Sequence, residues 1–228
     1  MGLEVRWLGQ LDYRAAWDLQ HELVDARARA EIEDQLLLVE HPPVLTLGRQ
    51  ASEAHVLAGP QALAERGIEL IRVERGGEVT YHGPGQLVAY PIVQLAQRGL
   101  LLRPFVRALE QAMIATAASF GVSAGRREGY PGCWVAPESE RPRKLGALGL
   151  RVERGISYHG IALNVTTDVS AFGLIDPCGM PAVEVTTIAR EAAWPAAESV
   201  PSTASVAAAA GHFADAFERL LERVPVAA

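Results

Sequence analysis

Strands arrive in pairs along this chain, and that pairing constrains the fold more than any other feature of the sequence. Apolar runs at 36–39 and 44–47 are separated only by His41-Pro42-Pro43, where the prolines permit a tight reversal and forbid one continuous strand. Runs at 68–74, 79–82 and 87–93 are broken by Gly76-Gly77 and Gly83-Pro84-Gly85, and runs at 144–152 and 156–165 are joined through Glu153-Arg154-Gly155, each a strand–turn–strand signature. A short first strand is expected around 5–8. Helices fall between these groups instead of after every strand. Ala15, Leu19, Leu23 and Ala28 predict a helix near 12–30, and a short helix ends at Gly67. Phe105, Leu109, Met113, Thr116 and Phe120 predict a helix that Gly121 stops. Val206, Ala210, Phe213, Phe217 and Leu220 mark a last one. The Gly-, Pro- and Arg-rich stretch 123–143 reads as a loop. This order favours a mixed β-sheet flanked by helices, an α/β (α+β) fold, over a doubly wound parallel sheet. A chain of 228 residues can bury a core without disulfides or structural metal. We expect one domain over 1–228; the Pro/Ala/Ser stretch 195–204 resembles a connector, so a small C-terminal subdomain from about 185 stays open.

Charge and composition exclude several classes of partner. The net charge is -6 and no Lys/Arg block reaches five residues, which argues against nucleic acid or an anionic membrane. No apolar run approaches the roughly 18 residues of a bilayer span. Glu4 and Arg6 interrupt the place where a signal peptide needs its apolar region. A cytoplasmic protein is expected, with Cys133 and Cys178 as free thiols.

Of the 21 Lys+Arg residues, 20 are Arg and one is Lys144. A lysine opening a strand is ordinarily a solvated charge, but this chain writes solvated cations as Arg. Arg cannot release a proton near neutral pH and a desolvated Lys can, so the retained amine points to acid–base work. Strand alternation puts Lys144 on the face of Gly146, Leu148 and Leu150. Cys178 sits in Ile175-Asp176-Pro177-Cys178-Gly179, a turn that favours an accessible thiol. Cys133, beside a strand-like apolar run, reads as packing.

The densest segment is Arg75-Gly76-Gly77-Glu78-Val79-Thr80-Tyr81-His82-Gly83-Pro84-Gly85-Gln86. Alternation places Glu78, Thr80 and His82 on one face, with glycines on both sides that admit a ligand or another backbone. It lacks the Gly-Lys-Ser/Thr ending of a phosphate loop and the third Gly of a dinucleotide fingerprint. Glycine-rich hairpin turns and a ligand-approached strand both fit it. His159 reads as a satisfied strand histidine or a turn partner. The six histidines are scattered, so a metal site is poorly supported, and no serine hydrolase elbow is present.

Glu40-His41-Pro42-Pro43-Val44 through Gly48-Arg49, the 75–86 motif, Arg143-Lys144-Leu145-Gly146-Ala147-Leu148-Gly149, the stretch 157–165 and Pro177-Cys178-Gly179 together resemble octanoyltransferases of the lipoate-protein ligase B family, in that family's order over about 37–190. The resemblance implies a fold similar to the catalytic domain of biotin and lipoate protein ligases. It implies transfer of an octanoyl group from acyl carrier protein to the target lysine of lipoyl domains, those of 2-oxoacid dehydrogenase E2 subunits and of the glycine cleavage H protein. Carried onto this sequence, Cys178 looks like the acyl-thioester nucleophile and Lys144 like the group that lowers its pKa and moves protons. Substrate contacts fall on Arg75, Gly76, Gly77, Glu78, Val79, Thr80, Tyr81 and His82, on Ala147, Leu148 and Gly149, and on Gly160, Ile161 and Ala162. We expect a monomer that needs neither ATP nor metal.

The chemistry is consistent with that assignment. A thiol of pKa ~8.5 is only about 3% thiolate at pH 7, and a cationic neighbour that lowers it by about two units makes thiolate the majority form. Exchange of one thioester for another needs no ATP. An acidic carrier calls for a local positive patch; Arg126, Arg127, Arg141, Arg143, Arg151 and Arg154 are candidates, or else ordinary solvated arginines. An ATP-dependent lipoate or biotin ligase and a non-catalytic acyl-binding or carrier-binding protein are the alternatives; Cys178 paired with the sole lysine disfavours both.

Overall fold

Leu36, Leu37, Leu38 and Val39 are all buried, and alternate residues enter different cores. That happens only when a strand is covered on both faces. These residues lie in β2 (Asp34–Glu40), near the middle of a sheet ordered β1-β2-β6-β10-β9-β8-β7. The other strands are β1 (Leu3–Gln10), β6 (Gln86–Ile92), β7 (Ala124–Arg127), β8 (Tyr130–Val135), β9 (Arg143–Glu153) and β10 (Ile156–Asn164). β1 runs parallel to β2 and the remaining pairs along this path are antiparallel, so the sheet is mixed as expected. The computed structural model describes residues 2–176, 183–193 and 205–223.

Helices α3 (Leu102–Ser119) and α5 (Val206–Arg223) cover one face, where Phe105, Met113, Phe213 and Phe217 meet Leu36, Leu87, Ile161 and Leu163. Gly121, with φ +80°, follows the cap of α3 in the left-handed region that glycine adopts without Cβ strain. α1 (Tyr13–Ala28) covers the other face; Asp12 caps it by accepting from the Arg14 and Ala15 amides at 2.8 and 3.2 Å. The buried residues of α1 are Tyr13, Ala16, Gln20, Val24 and Arg27, one position away from the stripe that apolar spacing indicates. Gln20 and Arg27 are buried because each has a polar partner: Gln20 accepts the His159 amide at 2.8 Å, and Arg27 pairs with buried Asp34 at 2.7 Å.

Pro42-Pro43 carry the chain out of the large sheet into a small one, ordered β4-β3-β5, made by β3 (Val44–Leu47), β4 (Glu69–Arg72) and β5 (Val79–His82). One face of it packs on Tyr13 and Trp17 of α1. The other encloses a second core of Leu45, Leu47, Val79, Tyr81 and Ile175 with Leu63 of α2 (Pro60–Glu65).

The structure corrects the expected loop at 123–143: most of it is the β7–β8 hairpin, and β8 pairs with β9. Gly129, with φ +76°, makes the turn, and Cys133, Trp134 and Val135 are buried. Beyond β10 the chain returns as β11 (Glu184–Val185), parallel to Arg143 and Lys144 of β9, followed by α4 (Ile188–Glu191). Val206, Phe213 and Phe217 of α5 lie in the same core as α3.

Candidate active site

Between β5 and the α1-side face of the large sheet lies a narrow cavity of about 50 Å³. It brings together Arg75, Gly77, Glu78, Val79, Thr80, His82, Ala147, Leu148, Gly149, Gly160, Ile161 and Ala162, twelve of the fourteen expected substrate contacts, from three separated segments. Register explains the meeting: Ala147 pairs with Ala162 and Gly149 with Gly160 across β9 and β10, and Val88 of β6 pairs with Ala162. The two others lie elsewhere. Gly76 donates its amide to the Leu150 carbonyl at 2.9 Å, outside the cavity. The Tyr81 ring points away into the second core, edge-on to Phe172. Gly149 is required on steric grounds: a Cβ there would stand 2.7 Å from the Gly76 carbonyl oxygen.

Lys144 sits on a face that alternation alone does not give it. β8 and β9 pair Cys133 with Gly146 but Trp134 with Lys144, so β9 carries one extra residue, Leu145. Leu145 turns into the α3 core together with Gly146 and Leu148. The extra residue rotates Lys144 to the opposite face, beside Thr80, Gln86, Ala147, Ala162 and Asn164 in a small recess adjoining the cavity. Strict alternation from Lys144 to Gly146 is therefore broken by the bulge, although Lys144 still lines the recess with Gly146 and a second hollow with Leu148 and Leu150. The Lys144 side chain is only 6% exposed, with Nζ 5.2 Å from the Trp134 ring centroid, and its carbonyl accepts the Thr186 amide at 3.0 Å.

A buried polar chain runs along the cavity wall. Asn164 donates to the Thr186 carbonyl at 3.1 Å and accepts from Gln86 at 2.9 Å; the Gln86 carbonyl oxygen accepts from His82 Nδ1 at 2.7 Å. Thr46 Oγ1 lies 3.4 Å from His82 Nε2 and accepts from Arg75 Nη2 at 2.8 Å. These partners make His82 a neutral imidazole with its proton on Nδ1, and burial pushes its pKa down to about 3, with the neighbouring His41 and the Arg75 guanidinium lowering it further. His41 is likewise pushed to about 4 by burial; its Nδ1 donates to the Leu11 carbonyl at 2.7 Å and its Nε2 accepts from the Tyr90 hydroxyl at 2.8 Å.

Sequence reasoning missed Tyr13, Val88, Tyr90 and His159 as cavity-lining residues. His159 is a β10 residue in the left-handed region, φ +53°, followed by Gly160. Its Nε2 lies 3.3 Å from Glu74, which also accepts from Trp17 Nε1 at 3.0 Å. The hydrogen bond from His159 holds the Glu74 carboxylate down to about 2, while burial lowers the His159 pKa. A non-glycine residue at positive φ beside a cavity has no signature in an isolated sequence.

Cys133 is fully buried, and burial pushes its thiol up to about 12; it packs, as expected. Cys178 lies outside the described residues. Its flanks do not: the Asp176 amide donates to the His55 carbonyl at 2.8 Å, and Val185 pairs with Lys144. Among the six arginines considered for a carrier patch, Arg126, Arg143 and Arg154 are held in ion pairs with Glu110, Glu191 and Asp25.

Comparison with known proteins decides between the readings this site allows. Residues 12–217 match the lipoyl protein ligase A/B catalytic domain family. An octanoyltransferase of Chloroflexus aurantiacus is 47% identical over 190 residues, covering 83% of this chain and 84% of that protein. One from Acidobacterium capsulatum is 47% identical over 199 residues, covering 84% and 81%. This chain belongs to the octanoyltransferase family. Its fold is that of lipoate ligases: the bipartite lipoate protein ligase of Thermoplasma acidophilum superposes with a TM-score of 0.65 at 14% identity, covering 97% of this chain and 85% of that one. The family places it among acyltransferases of protein lipoylation. No helix among the described residues is long and apolar enough to cross a membrane.

Proposed function

We propose that this chain takes an octanoyl group from acyl carrier protein onto Cys178 and passes it to the target lysine of lipoyl domains. The acceptors are those of 2-oxoacid dehydrogenase E2 subunits and the glycine cleavage H protein, and the setting is the cytoplasm. The observation that carries the reading is the position of Lys144: buried on the cavity face, beside the strand that leads back to Cys178.

In the first half-reaction the Cys178 thiolate attacks the thioester carbonyl of the donor. A new C–S bond forms, the bond to the carrier sulfur breaks, and Lys144 delivers the proton that makes the departing carrier a thiol. In the second, the acceptor amine attacks the acyl-enzyme; a C–N bond forms, the C–S bond to Cys178 breaks, and Lys144 Nζ takes the proton the amine loses. One thioester becomes another before an amide forms, so neither ATP nor a metal enters. The octanoyl chain enters beside Val88, Ala147, Leu148, Ile161 and Ala162, which part to admit it; each CH₂ buried there contributes about 0.8 kcal/mol.

Intact-mass measurement after mixing with octanoyl-acyl carrier protein, without ATP, tests this. An octanoyl adduct is expected on the wild type and on Cys133→Ala, absent from Cys178→Ala and released by mild hydroxylamine. An adduct that persists in Cys178→Ala overturns the mechanism.

A further inference from the structure

The open edge of β9 faces a groove that adjoins the acyl cavity and shares Gly77, Glu78, Leu148 and Gly149 with it. The ladder between β8 and β9 extends no further than Gly146, and the next strand-like contact on that edge is the Gly76 amide on the Leu150 carbonyl. Gly146 and Leu150 both turn their main-chain groups away from β10, and alternation turns those of Leu148 the same way. The Leu148 backbone thus faces the groove from between two paired positions.

Two connected hollows form the groove, of about 490 and 300 Å³, sharing Gly76, Gly77, Leu102 and Leu150. The larger is apolar, walled by Leu102, Val106, Pro131, Leu148 and Leu150, with Lys144 on its lining and Glu78 on the rim. The smaller is basic: Arg49, Arg75 and Arg151 converge there with Glu74. Glu74 is engaged by Trp17, His21 and His159, and Arg75 by Thr46 and the Gly76 carbonyl. Arg49 and Arg151 remain to face a ligand. Arg151 Nε is buried without a hydrogen-bond partner among the described residues, while its guanidinium also reaches the Tyr158 hydroxyl.

A ligand suited to this groove is elongate, anionic at one end, amide-bearing in its middle and reactive at the Lys144 end. We infer that the groove holds the phosphopantetheine arm of the acyl carrier donor: its phosphodiester against Arg49 and Arg151, its amides along the Leu148 backbone and its thioester at Lys144. This rests on the acyl-transfer reading above. Lengths agree. Lys144 and Arg151 are seven residues apart on β9, ~23 Å of strand. The arm spans about thirteen bonds from sulfur to phosphorus, ~16 Å extended at backbone-like bond lengths, and the long side chains at both ends close the difference. Amides laid on an open strand edge and a phosphate met by arginines are both recurrent modes of recognition.

Acyl-enzyme formation with octanoyl-4′-phosphopantetheine and octanoyl-pantetheine, which differ only in the phosphate, tests the assignment; octanoyl-acyl carrier protein is the reference. The wild type is expected to favour the phosphorylated donor by about ten-fold or more in kcat/KM, the scale of a charge-assisted contact. In Arg49→Ala/Arg151→Ala that preference collapses, while the rate with octanoyl-pantetheine stays within about two-fold of the wild type, which also shows that the variant folds. Equal use of both small donors by the wild type, or equal losses with both in the variant, overturns the groove assignment and leaves acyl transfer standing. A wild type acylated by none of the three donors defeats the acyl-transfer reading itself, and the groove assignment with it.

Discussion

The two faces of β9 do different work with the same eleven residues. Towards α3, Leu145 and Gly146 close against Met113 and Cys133, and the surface is apolar. Towards β5, Lys144, Ala147 and Gly149 line the recess and the cavity among Thr80, Gln86, Arg75 and His82. One inserted residue, Leu145, separates the two sets by turning Lys144 across the sheet. A rigid, well-packed face thereby holds a polar face whose groups must keep their positions for chemistry. If this division is right, substitutions on the cavity face change rate and those on the α3 face change stability.

The largest expected effect is at Lys144. Lys144→Met keeps most of the buried aliphatic volume and removes the amine, so transfer should fall about 10³-fold, ~4 kcal/mol of transition-state stabilisation. Its unfolding free energy in urea should stay within about 1 kcal/mol of the wild type. Lys144→Arg keeps the positive charge, yet single-turnover transfer should remain impaired because guanidinium does not exchange its proton. Full activity in Lys144→Arg would mean that charge alone suffices and that the amine has no acid–base part.

Residue usage singled out Lys144, which the fold buries beside the cavity, and the central strands were legible from their Gly/Pro punctuation. The face of Lys144 was not, because a one-residue bulge leaves no mark in an apolar run that reads Lys-Leu-Gly-Ala-Leu. The β7–β8 hairpin was missed for the opposite reason: Gly129, Pro131 and Gly132 are turn residues by composition, yet Cys133, Trp134 and Val135 are buried in a strand. Counting apolar residues also misplaced the buried stripe of α1, since Gln20 and Arg27 enter it through partners on β10 and β2. The motifs at 75–82, 147–149 and 160–162 were visible singly. Their meeting around one cavity depends on β-register, as does the arrival of Tyr13, Tyr90 and His159 beside them.

The next effect in size separates the faces by pH. His82 and His41 lie on the cavity side with pKa values of about 3 and about 4, against ~6.5 unfolded. Between these limits the unfolded chain binds the protons that the folded chain refuses. Their stabilisation is therefore complete above about pH 7 and is lost as pH falls through 6.5 towards the folded values, by about 1.4 kcal/mol per pH unit for each histidine in mid-window. Urea unfolding at pH 7, 6 and 5 should show this slope, and His82→Gln should reduce it by about the share of one histidine. A slope unchanged in His82→Gln would mean that the ring is protonated in the folded protein and that the neutral hydrogen-bond chain from Asn164 to Arg75 is wrongly drawn.

The smallest expected effect tests the division most directly, with neighbouring residues on opposite faces. A Cβ at Gly146 would lie 2.8 Å from Met113 Sδ and 3.1 Å from the Ala162 carbonyl oxygen. Gly146→Val therefore overpacks the α3 face, and its unfolding free energy should fall by roughly 1–3 kcal/mol, with single-turnover transfer by the folded fraction close to that of the wild type. Ala147 is half-buried and lines the cavity, so Ala147→Leu fills space intended for the acyl chain. It should cost less than about 1 kcal/mol of stability and slow octanoyl transfer about ten-fold, equivalent to ~1.4 kcal/mol. Hexanoyl donors should be slowed less than octanoyl donors in this variant, because a shorter chain leaves room for the added isobutyl group. The reverse pattern, with Gly146→Val losing rate and Ala147→Leu losing stability, would place Lys144 and Gly146 back on one face and remove the role assigned to the Leu145 bulge.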